Sequence, residues 1–202
     1  MTTPASKRSA WALGTLHKLD GICRYLALNL LWLLSCCLVV TGPAGTKAML
    51  ETAKDWAAGS EAPVLRTFAG HFKAGALRTT AAAAPLMVAG FLLLINFEIA
   101  SHTGSQRAFL TPALIAVAIP YLVFTANLLP ANLGHHADIR GSYRRTLTSI
   151  VTNPTAAMLT ILISAAAVFI AFVQPFAIFV VAAPAARLIV AATSRTIHQP
   201  AS

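Results

Sequence analysis

The run Asn29-Leu-Leu-Trp32-Leu-Leu-Ser35-Cys-Cys-Leu-Val-Val-Thr41-Gly42-Pro43-Ala44 decides how the chain is read. It is an apolar helix that stops at a Gly-Pro corner, because proline offers no backbone N–H and glycine tolerates the turn. Extended back to Ile22 it gives a first span over residues 22–40, about the length that a ~30 Å hydrocarbon core requires at 1.5 Å per residue. The pattern then repeats, a bilayer-length apolar segment followed by a basic connector. Further spans are expected over residues 79–100, 109–130, 155–173 and 175–192. The last two come from one apolar block, too long for a single crossing, that divides at Gln174-Pro175.

Composition agrees with that pattern. Of 202 residues, 57% are hydrophobic and only 10% charged, where soluble proteins carry about 25% charge. Mean hydropathy is +0.71. These values describe an all-α, polytopic membrane protein: one membrane domain over residues 1–202, with about five transmembrane helices and a multi-pass place in the cell membrane. The net charge of +9 is spread over the connectors rather than gathered on one soluble face. That placement argues for membrane lipids with anionic headgroups, or an acidic partner, and against nucleic acid. Cys23, Cys36 and Cys37 are an odd count in or beside the first span, which gives no disulfide framework.

Ahead of the first span, residues 1–21 carry Lys7, Arg8 and Lys18, but no cleavage pattern follows, so this segment is read as part of the mature chain. Trp11, Leu13, Leu16 and Leu19 share a broad face, which predicts a short interfacial helix. Residues 193–202 are read as a tail. The two longer connectors are patterned as amphipathic surface helices. From Lys47 to Ala57, Met49, Ala53 and Trp56 fall opposite Lys47, Glu51, Lys54 and Asp55. After Gly59-Ser60, Leu65, Phe68, Phe72 and Ala76 fall opposite Arg66 and Lys73. Both stretches would lie on the membrane or a partner, or cover the protein's own spans. In the second connector Ile139, Tyr143, Leu147 and Ile150 share a face, and Asn153-Pro154 ends the helix.

The polar residues inside the spans are few. Asn29 is expected to hydrogen-bond to another helix, since an unpaired amide in hydrocarbon is costly. Asn96 and Asn127 pose the same demand, Glu98 is expected to pair with Arg24 at a shared membrane face, and Arg187 to snorkel toward headgroups. Five crossings put the termini on opposite sides, and the basic connectors favour the N-terminus outside.

Candidate chemistry is sparse. His135-His136-Ala-Asp138 does not make a metal site, because neighbouring histidines do not converge on a helix and no further ligands gather there. There are no paired carboxylates within a span and no nucleophile elbow, and six acidic residues leave little for acid–base work. The reading is therefore no enzyme, no catalytic residue, no metal and no cofactor.

Asn29-Leu-Leu-Trp32, Thr41-Gly42-Pro43-Ala44 before a Lys47-to-Trp56 helix, Phe68-x-x-x-Phe72-Lys73, and Tyr143-Arg-Arg-Thr-Leu with Asn153-Pro154 together resemble the YesL-like family of bacterial membrane proteins. The resemblance spans roughly residues 21–195. The chain departs from it at Cys36-Cys37-Leu-Val-Val, where relatives tend to carry proline and a bulkier run. The resemblance implies a non-catalytic accessory membrane subunit of a carbohydrate ABC importer, docking on the permease subunits and on the nucleotide-binding subunits. Asn29, Trp32, Thr41, Gly42, Pro43, Phe68 and Phe72 are the expected interface. The alternative is a small stand-alone transporter or channel acting as an oligomer, with Asn29, Asn96, Glu98 and Asn127 lining a path.

Overall fold

The computed structural model describes residues 4–37, 39–102, 107–134, 138–174 and 178–197. Within them every regular element is helical: α1 (Pro4–Cys36), a short 3-10 turn (Val39–Thr41), α2 (Gly42–Ala57), α3 (Val64–His102), α4 (Arg107–Ala131), α5 (Ile139–Thr152), α6 (Pro154–Val173) and α7 (Ile178–Ile197). His135 and His136, and the side chains of Trp11, Leu13, Leu16 and Leu19, lie outside the described parts.

The corner after the first apolar run forms as its residues dictate. Thr41 Oγ1 donates to the carbonyl of Ser35 at 2.5 Å, closing the frayed end of α1, and Pro43 sits in the first turn of α2. The chain then doubles back. Thr46 meets Trp32, and Trp56 meets Tyr25, so α2 runs antiparallel to α1. Close approach is possible because position 45 is glycine. A Cβ there would stand 1.8 Å from Ser35 Oγ and 2.7 Å from Ser35 Cβ.

α2 overturns one expectation. It does not lie on a surface: Ala44, Gly45, Lys47, Ala48, Met49, Leu50, Glu51, Thr52 and Ala53 are all buried, and it is enclosed by α1, α3 and α7. Its small residues allow neighbours to close in, so Lys47 and Glu51 of the charged side are covered as well as the apolar side, while Lys54 stays exposed. The main cluster joins Leu28, Met49, Leu50, Phe68, Ala186 and Ile189.

The second expected surface helix is corrected too. Residues 64–76 and the span at 79–100 form one continuous helix of 39 residues, about 58 Å at 1.5 Å per residue. No break falls between them, and Pro85 is absorbed inside the helix. Tyr143 Oη donates to the carbonyl of Ala82 at 2.7 Å, and Tyr121 Oη to that of Leu86 at 2.9 Å, within the turns around Pro85. The N-terminal segment likewise joins the first span in one helix, and α7 extends through Ile197 into the expected tail.

Among the described residues, two helices are long and apolar enough to cross a membrane, Val64–His102 and Arg107–Ala131, and α5 with α6 make a third if that bent pair is one span. This is a helical membrane protein. The second half of α3 and most of α4 form an antiparallel hairpin, whose outer residues, among them Phe91, Leu94, Phe109 and Val117, are exposed.

Candidate functional site

The densest polar arrangement joins α2, α3 and the turn after α4. Lys47, Glu51 and Asp55 recur at i, i+4 and i+8, on adjacent turns of α2. Glu51 Oε1 lies 3.7 Å from Lys47 Nζ and accepts from the backbone N–H of Gly134 at 3.2 Å. Glu51 Oε2 lies 3.1 Å from His71 Nδ1, and the other ring nitrogen, Nε2, lies 2.7 Å from Asp55 Oδ2. Lys47 and Glu51 are each only 8% exposed. Charges so deep are retained when they are paired and their remaining valences filled.

Two geometric facts set what this network can do. His71 has a carboxylate at each ring nitrogen, whereas a neutral imidazole carries one N–H. Gly134 reaches Glu51 by a left-handed backbone, φ +72°, and a Cβ there would stand 3.0 Å from Lys54 Nζ. The network therefore clamps three elements together.

The residues singled out in sequence fall in other places. Asn29, 1% exposed, accepts from the backbone N–H of Ala183 at 2.7 Å, beside Pro184, which has no N–H to give to its own helix. Trp32 Nε1 donates to Thr46 Oγ1 at 3.0 Å, and Thr46 Oγ1 to the carbonyl of Gly42 at 2.9 Å. Beside them a largely apolar pocket of about 300 Å³ opens between α1, α2, α6 and α7. Phe68 is buried and stacks on Phe72, with centroids 6.1 Å apart. Thr41, Gly42 and Pro43 build the corner. Within the chain this set packs the protein's own helices, with Asn29 and Phe68 buried and Trp32, Thr41, Gly42, Pro43 and Phe72 partly exposed.

Asn127 is buried and donates to Val123 and, at 3.5 Å, to the carbonyl of Ala157 on α6. Asn96 is exposed and donates within its own helix to Leu92. The expected pair of Arg24 with Glu98 does not form. Each finds a partner four residues away, Arg24 with Asp20 at 2.9 Å and Glu98 with His102 at 3.0 Å, because helical neighbours are the nearest available charges. Arg187 Nη1 donates to Tyr25 Oη. The four residues proposed to line a path, Asn29, Asn96, Glu98 and Asn127, are not brought together.

The sequence reading missed His71, Asn132 and the inward turn of Glu51. Asn132, buried at the end of α4, donates to Ser142 and Thr146 of α5 at 3.3 and 3.2 Å. The available signal was the Ala, Gly and Thr content of α2, which suits a helix enclosed on all sides.

Residues 25–97 match the model of a family described as a protein of unknown function, DUF624, of which YesL is a member. The match covers most of the apolar half of α1, all of α2 and α3 through Phe97, and so contains Lys47, Glu51, Asp55 and His71. No curated protein and no solved structure matches the chain.

Proposed function

We propose that this chain is a non-catalytic accessory subunit of a carbohydrate ABC importer in the cell membrane, docking on the permease helices and stabilising the assembly. The observation that supports this reading most is the bareness of the α3–α4 hairpin. Of the apolar window in α3 only 11% is buried by the chain itself, and of that in α4 none. Helices of crossing length that pack on little of their own protein are suited to packing on another membrane protein as well as on lipid. In this reading the hairpin supplies docking surface beside the partly exposed corner residues Trp32, Thr41, Gly42, Pro43 and Phe72.

The finer arrangement follows the sequence pattern of five crossings. Ile22, Leu26, Leu30 and Leu34 form an exposed apolar stripe on α1, as a lipid-facing helix would carry. α6, with Met158, Leu162 and Phe169 exposed, stands as a further crossing, and α7 follows it. α2 then lies among the crossings with Lys47 and Glu51 turned inward, where ionisable groups in membrane bundles belong. Affinity purification from native membranes in mild detergent tests the reading. Permease chains are expected to co-purify, and recovery of this protein alone would contradict it.

A second reading is favoured by a specific observation. The Lys47–Glu51–His71–Asp55 network, with Lys47 and Glu51 buried and His71 set between two carboxylates, gathers ionisable groups of the kind used in coupled transport, which suits a small stand-alone transporter. Sugar uptake by proteoliposomes that contain this protein alone, abolished by His71→Gln, would decide for it.

A further inference from the structure

α5 shows the solvent an unusual side. Arg140, Arg144, Leu147 and Val151, at i, i+4, i+7 and i+11, form a single exposed stripe. The inward side is made of small hydroxyl residues, Ser142 and Thr146, buried against Asn132. The expected apolar face of Ile139, Tyr143, Leu147 and Ile150 is therefore split, and Ile139 and Leu147 point outward. Val151 is 78% exposed. The stripe is graded along the helix, with two guanidiniums toward its start and two aliphatic side chains toward its end.

The junction with α6 fixes how this stripe meets a bilayer. At Asn153-Pro154 the two helix axes differ by 104°. With α6 upright as a crossing, α5 lies close to the membrane plane, at headgroup depth. Among the described residues neither Arg140 nor Arg144 has a carboxylate partner.

We propose that α5 is a binding site for anionic phospholipid headgroups. Arg140 and Arg144 hold the phosphate, and Leu147 and Val151 enter the acyl boundary. Guanidinium suits this task because it stays charged and its fork matches phosphate oxygens. Each basic side chain beside an anionic leaflet strengthens attachment by roughly fivefold. The inference rests on α6 being a crossing, and it is independent of which protein occupies the hairpin.

The test uses the full chain in nanodiscs of phosphatidylcholine, with and without phosphatidylglycerol. Lipids retained by the protein are counted by native mass spectrometry, and the unfolding temperature is measured in each disc. Phosphatidylglycerol is expected to be enriched several-fold and to raise the unfolding temperature. Both effects should persist in R140K/R144K and vanish in R140Q/R144Q, while that variant unfolds like the wild type in phosphatidylcholine. Unchanged enrichment in R140Q/R144Q would overturn the proposal, as would inorganic phosphate reproducing the thermal shift in phosphatidylcholine discs. An unaltered lipid preference joined to loss of importer chains from R140Q/R144Q would also overturn it and assign the stripe to an acidic protein surface. Retained importer chains joined to a lost preference would support the lipid site, and this keeps its outcome separate from that of the subunit reading.

Discussion

Asn29 and Pro184 act as one unit. Proline removes one intrahelical N–H from α7, and the amide on α1 meets the neighbouring N–H. Replacing Asn29 by Ala removes this buried hydrogen bond between α1 and α7, so a loss of about 0.5–1.5 kcal/mol is expected by denaturant unfolding in detergent. The loss should shrink in a Pro184→Ala background, where the turn can regain its own geometry, and a double-mutant cycle measures the coupling. Gly134 is a second single point of dependence. Alanine there must adopt a left-handed backbone and crowd Lys54 Nζ, a cost of about 1–2 kcal/mol, checked by the same unfolding measurement. Some of this was legible in the sequence: an amide in an apolar run must find a partner. Its partner was not, because nothing near residue 29 in the chain points to residue 183. His71 was invisible for the same reason, since its two carboxylates lie 16 and 20 residues earlier on another helix.

Among the elements, a corner near Thr41-Gly42-Pro43 was legible because turn chemistry is local, although α1 ends at Cys36, before the expected 40, and Gly42-Pro43 open α2. The fate of α2 was not. A 3.6-residue pattern shows that a helix has two sides, but not what covers each of them. Residue 45 holds the clue, since only glycine lets α2 close on Ser35. Gly45→Leu is therefore expected to separate α1 from α2 and lower the unfolding temperature sharply, and Ser35→Gly in the same chain should recover part of the loss. Full stability in the Gly45→Leu chain would refute that packing. α3 was divided in the sequence because Arg66 and Lys73 make residues 65–76 amphipathic, whereas residues 79–100 are apolar. A charge marks where a helix changes solvent, and it does not end the helix. Pro85 is carried inside it with the help of Tyr143 and Tyr121. Tyr143→Phe should cost about 0.5–1.5 kcal/mol, read by chemical unfolding.

At the level of the whole molecule, most of the packing gathers α1, α2, the first half of α3 and α7 around a shared core, while the α3–α4 hairpin stands out with its apolar surface uncovered. That asymmetry is the ground for reading the chain as a subunit. Five crossings would set the termini on opposite faces, and tags at either end, probed by a membrane-impermeant reagent, should report opposite accessibility. The central claim is that the hairpin is the docking surface, and photo-crosslinking in native membranes tests it most directly. A photoreactive residue in place of Phe91 or Leu94 is expected to capture a permease chain, and one in place of buried Phe68 to capture none. Capture of lipid alone, or of permease only through sites off the hairpin, would contradict the account.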